Sequence, residues 1–143
     1  MRGKEFRGKF FVSGQASGKL VKSERAISFW GGLDPATGEV IDRRSDVTGR
    51  SVAGKVFAFP EGIGSSTTSA VLLEAVRNGT NPVAVINIKT EPILVTGALV
   101  AKEIYQVDIP VVSLVREEYE ELDDGDEIKL DGDSGLVSAE KRI

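Results

Sequence analysis

The chain contains no cysteine and no histidine among its 143 residues. The lack of cysteine excludes disulfides, thiolate nucleophiles and a Cys-ligated iron–sulfur cluster within this chain. The lack of histidine excludes a Ser-His-Asp triad, and the two absences together exclude zinc sites of the usual kind. Acid–base chemistry must therefore use carboxylates, lysine, tyrosine or an activated hydroxyl group. Any soft metal must belong to another chain.

Long apolar runs and an excess of positive charge are also absent. No apolar run approaches the ~20 residues that a membrane-spanning helix needs, and the N-terminus lacks the apolar segment of a secretory signal. We therefore expect a cytoplasmic protein that binds no membrane. The net charge is −4 and the pI is near 5.0. Since nucleic-acid binding requires clustered cations, we expect no nucleic-acid partner.

The length and composition suit one globular domain over residues 1–143. Short apolar runs bounded by glycine and proline predict strands at 5–13, 20–21, 26–29, 56–59, 83–86 and 110–115, with a C-terminal hairpin of 126–130 and 135–138. Residues 30–50 lack periodicity and predict an ordered surface loop. The sequence therefore predicts an α/β fold that is rich in β-structure.

Three segments predict helices. The first begins in the hydroxyl-rich segment at 65–69 and ends at Gly79, the second covers 92–102, and the third is a short acidic turn at 117–122. Residues 56–86 thus form a strand–loop–helix–strand unit, which normally gives a parallel strand pair with a right-handed crossover. The aspartates between 123 and 133 lack the ligand spacing of an EF-hand loop, so we expect a solvated turn and no metal site.

The clearest local signal is the segment at 60–69, Pro-Glu-Gly-Ile-Gly-Ser-Ser-Thr-Thr-Ser. Its two glycines permit a sharp turn after a buried strand, and the unpaired N–H groups of the following helix favour an anion. One hydroxyl suffices to cap a helix, whereas five in a row lower the helix propensity of the first turn. We therefore interpret the segment as a functional site, with Gly64, Ser65, Ser66 and Thr67 as its candidate residues.

Two further polar groups have open roles. The first follows the second buried strand and comprises Asn87, Lys89 and Glu91. These residues either line the same crevice as Ser65 or form a polar loop. The second is the Asp-Arg-Arg segment at 42–44, which either binds an anionic substrate or a partner chain, or consists of ordinary surface charges.

Several short motifs occur in a characteristic order along the chain. They are Phe29-Trp-Gly-Gly-Leu-Asp-Pro35, Ile41-Asp-Arg-Arg44, Ser51-Val-Ala-Gly-Lys-Val56, Gly64-Ser-Ser66 and Asn87-Ile-Lys-Thr-Glu91. As a set they resemble the small subunit of the aconitase X family, over about residues 18–137. The resemblance implies a swivelling β/β/α three-layer domain that caps the active site of a larger subunit. It also implies that a 4Fe-4S cluster is bound by that large subunit and not by this chain.

The resemblance further implies a hydro-lyase that is active only with the large subunit. The implied reaction converts (R)-5-phosphomevalonate to trans-anhydromevalonate 5-phosphate in the archaeal mevalonate pathway, and the alternative substrate within the family is cis-3-hydroxy-L-proline. A hypothesis of a different class is a non-catalytic mobile binding or assembly domain.

The resemblance also assigns roles within the hydroxyl-rich segment. In aconitase relatives the first serine of the Gly-Ser-Ser segment is the catalytic base, which by position is Ser65. Gly64, Ser66 and Thr67 then contact the substrate. At the position of Thr67, aconitases have an arginine that binds a substrate carboxylate. That anion contact must here come from backbone N–H groups, other hydroxyls or the partner.

Overall fold

The computed structural model describes residues 3–63 and 66–141. Those residues form ten strands and three helices. The strands are β1 (Gly3–Arg7), β2 (Lys9–Val12), β3 (Gln15–Lys22), β4 (Leu33–Asp34), β5 (Glu39–Val40), β6 (Val56–Ala58), β7 (Ala84–Asn87), β8 (Val111–Ser113), β9 (Glu127–Asp131) and β10 (Leu136–Glu140). The helices are α1 (Thr68–Asn78), α2 (Pro92–Tyr105) and α3 (Arg116–Glu120). None of these helices is both long enough and apolar enough to cross a membrane.

Eight strands form one strongly bent sheet in the order β1-β10-β9-β3-β6-β7-β8-β2. The first five residues of β3 pair antiparallel with β9, and its last three pair parallel with β6. Strands β6, β7 and β8 continue the parallel arrangement, and β2 closes it as an antiparallel edge. Strand β3 therefore joins an antiparallel sheet to a mainly parallel one. Because β1 and β2 are consecutive in the chain but lie at opposite ends of this order, the sheet is nearly closed.

The predicted single strand at 5–13 is wrong, because Gly8 divides it into β1 and β2. At Gly8 the chain passes from one end of the sheet to the other, and its N–H donates to the carbonyl of Gly135 at 3.0 Å. A Cβ atom at Gly8 would clash with Cγ2 of Val112. The partial alternation of apolar residues correctly predicted β-structure on both sides of Gly8, but it does not reveal that β1 and β2 pair with different strands.

The apolar residues form two clusters on opposite faces of the parallel strands. Phe57 and Val85 face the helices, where they join a cluster that includes Leu72 of α1. Val56 and Ile86 face the antiparallel sheet and its strands β9 and β10. Strands covered on both faces are expected to be apolar at every position, which explains the short apolar runs in the sequence. The resulting order of antiparallel sheet, parallel sheet and helices confirms the predicted β-rich three-layer β/β/α arrangement.

The two long helices approach each other closely at Gly97 of α2. A Cβ atom there would lie 3.0 Å from both Cα and Cβ of Ser69 in α1. Glycine inside a helix costs about 1 kcal/mol relative to alanine, and here the close approach of α1 explains its presence. Helix α2 runs three residues beyond the predicted end, to Tyr105, and ends at Gln106 in a left-handed conformation.

Other predictions have mixed outcomes. The unit at 56–86 does form a parallel strand pair, Gly79 ends α1 with a φ of 74°, and the C-terminal hairpin is present. The predicted strand at 26–29 is wrong, because only Ile27 forms a single bridge, to Gly62. The loop at 30–50 is largely irregular as predicted, but it contains a short hairpin in which β4 and β5 have two residues each.

Candidate functional site

The carboxyl ends of β3, β6, β7 and β8 meet at one edge of the parallel sheet. Ligands of α/β folds commonly bind at such an edge. The loop after β6, residues 59–63, leads into the hydroxyl-rich segment, and the loop after β3 runs beside it. The N–H of Ile27 donates to the carbonyl of Glu61 at 3.2 Å, and the N–H of Ile63 donates to the carbonyl of Ile27 at 2.9 Å. The loop after β6, which leads to the predicted site, is therefore hydrogen-bonded to the loop after β3.

Gly64 and Ser65 lie outside the described residues, whereas Ser66 and Thr67 form a turn before α1. Helix α1 begins at Thr68, with Thr67 as an N-cap that makes no side-chain capping hydrogen bond. The helix therefore begins within the segment 65–69 as predicted, three residues after the start of that segment. The run of hydroxyl residues explains the late start, since serine and threonine compete with the helix for backbone hydrogen bonds. The unpaired N–H groups of the helix belong to its first turn from Thr68 onward.

Thr68 is 4% exposed, and its Oγ1 atom has no hydrogen-bond partner in the described part of the chain. It lines a cavity of about 10 Å³ together with Gly62, Glu91 and several apolar side chains. This volume is at the lower limit for one water molecule. The start of α1 thus buries a hydroxyl that makes no hydrogen bond to the residues that the structure describes.

Two of the three polar residues after β7 have structural roles. Asn87 is fully buried, and its Nδ2 donates to the carbonyl of Phe59 at 2.9 Å, which fixes the start of the loop after β6. Glu91 caps α2 by accepting hydrogen bonds from two backbone N–H groups, each at 2.9 Å. Lys89 is exposed and lies next to Glu61 through a single parallel bridge. These residues therefore share the edge with the predicted site, but only the Lys89 side chain remains available to a ligand.

The long loop brings the Asp-Arg-Arg segment to the same edge. A pocket of about 200 Å³ is lined by Arg25, Ala26, Asp42, Arg44 and Ile63. Oδ1 of Asp42 accepts hydrogen bonds from the backbone N–H of Arg44 at 2.9 Å and from its Nε at 3.3 Å. These bonds, the backbone bond foremost, and the positive charges of both arginines lower the pKa of Asp42. Asp42 is therefore ionised at neutral pH.

A hydrogen-bonded clamp holds the loop after β3 against the long loop. Oγ of Ser23 donates to Oδ1 of Asp46 at 2.6 Å, and the N–H of Glu24 donates to its Oδ2 at 2.8 Å. The hydroxyl of Tyr119 donates to the carbonyl of Ser23 at 2.7 Å. Burial raises the pKa of Tyr119, so this hydroxyl stays protonated and remains a donor. Arg25 was not predicted from the sequence, because it lies in no motif and the other charged residues of its pocket, Asp42 and Arg44, are distant in the sequence.

Within 3–63 and 66–141, no group of three or more acidic, histidine or cysteine residues is arranged to hold a metal ion. The acidic residues near 123–133 instead make contacts within the chain. Asp124 binds Arg50 at 2.9 Å, and the buried Asp126 accepts a hydrogen bond from the N–H of Asp123 at 3.0 Å. Asp126 thus differs from the expected solvated turn, because it is 5% exposed.

The family model for the aconitase X swivel domain matches residues 5–139. The phosphomevalonate dehydratase small subunit of Thermococcus onnurineus is 39% identical over 137 residues, covering 96% of this chain and 99% of that protein. A cis-3-hydroxy-L-proline dehydratase of Hypocrea jecorina is 42% identical over 121 residues, which are 85% of this chain and 20% of that protein. The crystal structure of Thermococcus kodakaraensis aconitase X in its holo form is 36% identical, with a TM-score of 0.86 over 96% of this chain and 99% of that one. The chain therefore belongs to the aconitase X swivel-domain family.

Proposed function

We propose that this chain is the small subunit of a heteromeric dehydratase that converts (R)-5-phosphomevalonate to trans-anhydromevalonate 5-phosphate. The observation that carries the proposal is the extent of the matches. Relatives named phosphomevalonate dehydratase small subunit align with 93–96% of this chain at 36–39% identity. The matched segment includes the whole edge at which the loops after β3, β6 and β7 meet.

Ser65 is the proposed catalytic base. Dehydration requires removal of a weakly acidic proton next to the substrate carboxylate. Without histidine or cysteine, a carboxylate, a lysine, a tyrosine or an activated hydroxyl could act as the base, and the resemblance of Gly64-Ser-Ser66 to the aconitase segment favours the serine hydroxyl. A serine alkoxide requires a dry site with positive potential. The N-terminus of α1 supplies part of that potential, and Gly64, Ser66 and Thr67 would contact the substrate. Closure of a swivelling domain over its partner would exclude water.

The proposed iron–sulfur cluster does not fit the residues of this chain. Cysteine is absent from the sequence, and the described residues hold no candidate metal group. We assign the 4Fe-4S cluster to the larger subunit, where it would supply Lewis-acid assistance to the departing hydroxyl group. Ile63, which lines the pocket of Arg25 and Arg44, is 50% exposed, and Ile41, the chain neighbour of Asp42, is 45% exposed. Exposed apolar side chains at this edge support its coverage by that subunit, in a complex that we expect to be cytoplasmic.

A second candidate function is dehydration of cis-3-hydroxy-L-proline. The observation in its favour is the 42% identity to the enzymes named for that reaction in Hypocrea jecorina and Pseudomonas aeruginosa. Both substrates carry a carboxylate, so the charge at the start of α1 suits either one.

The test is to purify the chain together with its large subunit and to assay dehydration of both substrates without oxygen. We expect turnover of 5-phosphomevalonate and a decrease of about 10²–10⁴-fold in Ser65→Ala, as for the loss of a catalytic base. Ser17→Ala is the matched control, because Ser17 is exposed on β3 within the half that pairs with β9, away from this edge. It should retain full activity.

Each other outcome has a distinct meaning. Turnover of the hydroxyproline alone would establish the second candidate. Full activity of Ser65→Ala in an intact complex would disprove the serine base and favour a non-catalytic assembly domain. A cluster-loaded complex that is inactive on both substrates would refute both proposed reactions.

A further inference from the structure

The pocket between the loop after β3 and the long loop contains two arginines and one carboxylate. We propose that Arg25 and Arg44 form an anion subsite that binds a terminal oxyanion of the substrate, its phosphate or its carboxylate, beside Ser65. The proposal rests on the proposed function, because it takes the substrate to be anionic and Ser65 to be the base. No sequence motif pointed to Arg25, and its place in the subsite follows only from the folded chain.

The charge of the pocket favours an anion. Among the described residues, the guanidinium group of Arg25 has no hydrogen bond or ion pair. Arg44 uses its backbone N–H and its Nε to bind Asp42, and within the same residues its two terminal nitrogen atoms make no hydrogen bond. With Asp42 ionised, the pocket has one positive charge in excess. Guanidinium groups with free N–H donors bind phosphates and carboxylates through paired, charge-assisted hydrogen bonds.

Chain connectivity places the pocket within reach of the proposed base. Ile63 lines the pocket and is separated from Ser65 by one residue. Two residues of fully extended chain span at most about 7 Å. The chain length between Ile63 and Ser65 therefore limits the distance between the pocket lining and the proposed base. The distance suits a short substrate whose reacting carbon is a few bonds from an anionic group.

The size of the pocket agrees with such a group. Its volume of about 200 Å³ is more than ten times the ~10–15 Å³ that one water molecule needs. A phosphate or carboxylate with its first carbon atoms fits within this space.

The backbone of Arg25 and the guanidinium group of Arg44 are held in place before any ligand binds. The N–H of Arg25 donates to Oγ of Ser23 at 3.0 Å, and Ser23 is fixed in turn by Asp46. Asp42 orients the guanidinium group of Arg44 through Nε. Charged groups that are positioned in advance bind an anion without the cost of ordering flexible side chains.

The first experiment measures anion binding by the chain alone, so its result does not depend on the proposed reaction. Inorganic phosphate and acetate are titrated separately into the isotope-labelled 143-residue chain, and backbone amide NMR shifts are recorded. We expect saturable shifts at Ala26, Arg44 and Ile63, and at least a tenfold weaker affinity in Arg25→Gln. Arg77→Gln is the matched control, since it removes the same charge from the exposed, opposite end of α1. Shifts that do not saturate, or equal affinity in Arg25→Gln and the wild type, would overturn the proposal.

The second experiment measures steady-state kinetics of the assembled dehydratase. Arg25→Gln should raise KM for 5-phosphomevalonate at least tenfold while lowering kcat much less, and Arg25→Lys should restore part of the loss. Arg77→Gln should behave as the wild type. Unchanged kinetics in Arg25→Gln, or failure of this variant to assemble with the large subunit, would overturn the proposal, the latter because it identifies Arg25 as a partner contact.

Comparison with unphosphorylated mevalonate identifies which anion occupies the subsite. An effect of Arg25→Gln confined to the phosphorylated substrate assigns the phosphate, and an equal effect on both assigns the carboxylate. If the wild-type complex dehydrates neither compound, the proposed function fails, and the phosphate and acetate titrations still decide the anion subsite.

Discussion

Replacing Thr68 with valine should stabilise the protein, against the usual direction of buried substitutions. The hydroxyl of Thr68 is buried at the start of α1, and its Oγ1 atom has no partner among the residues that the structure describes. Valine has nearly the same shape and a similar helix propensity. The substitution therefore removes a buried polar group that makes no hydrogen bond while leaving the packing nearly unchanged.

The size of the effect follows from the cost of an unpaired buried hydroxyl. Mutational data place this cost at about 1–3 kcal/mol. The adjacent cavity of about 10 Å³ is lined mainly by apolar side chains, and both carboxylate oxygens of Glu91 are already bound to the backbone of α2. A water molecule there would lack the two to four polar partners that it needs. We expect a gain of about 1 kcal/mol in the free energy of unfolding, or about 3–4 °C in Tm.

The assay is reversible urea unfolding of Thr68→Val beside Thr80→Val. Thr80 is the matched control, because its Oγ1 donates to the carbonyl of Pro35 at 2.7 Å. Loss of that bond should lower the free energy of unfolding by about 1 kcal/mol. The two valine substitutions are thus expected to shift stability in opposite directions.

A loss of stability in Thr68→Val, comparable with that in Thr80→Val, would refute the reasoning. It would mean that the Thr68 hydroxyl is hydrogen-bonded, with a water molecule in the adjacent cavity as the partner. A crystal structure of the wild type at high resolution would then show that water.

Two further substitutions test the helix pair and the buried acid. Gly97→Val should lower the free energy of unfolding by about 1–3 kcal/mol in urea unfolding, because its Cβ would lie 3.0 Å from the backbone of Ser69. This loss is expected although valine is the better helix former. Unchanged stability would mean that α1 and α2 separate without cost. Burial raises the pKa of Asp126 above its unfolded value, so the wild type loses stability as the pH rises through the unfolded pKa near ~4 and towards the folded pKa. The asparagine in Asp126→Asn does not ionise, so the stability of this variant relative to the wild type should increase from pH 3 to pH 7. A difference in Tm between the two proteins that stays constant across that range would contradict the burial argument.

The parallel unit at the centre of the fold was predictable from the sequence. Val56 to Phe59 and Val83 to Ile86 are short apolar runs with glycine or proline beside them, and the helix between them ends at Gly79. These signals are local, because strand length, helix ending and turn chemistry depend on neighbouring residues. The hydroxyl-rich segment at 60–69 was recognisable for the same reason. The structure supports its position at a sheet edge, while the role of Ser65 remains a proposal.

Other features depend on partners that are distant in the sequence. The apolar pattern of 5–13 does not show that Gly8 must pass beside Val112, so one predicted strand is two. The pattern of 26–29 does not show that only Ile27 has a strand-like partner, at Gly62. Gly97 has a low helix propensity, although in the folded chain it is the residue that lets α1 and α2 meet.

The sequence by itself determined that this chain lacks thiol and imidazole chemistry, that it contains a parallel strand–helix–strand unit, and where its hydroxyl-rich segment lies. These conclusions need only residue types and short-range patterns. Only the tertiary structure decided that Asn87 fixes the loop after β6, and that Arg25 and Arg44 line one pocket together with Ile63. Arg25 and Arg44 are brought together by the clamp on Asp46 and by the bridge between Ile27 and Gly62. Such contacts form only when distant segments pack together. They leave no periodic pattern in the sequence, and therefore only the folded chain reveals them.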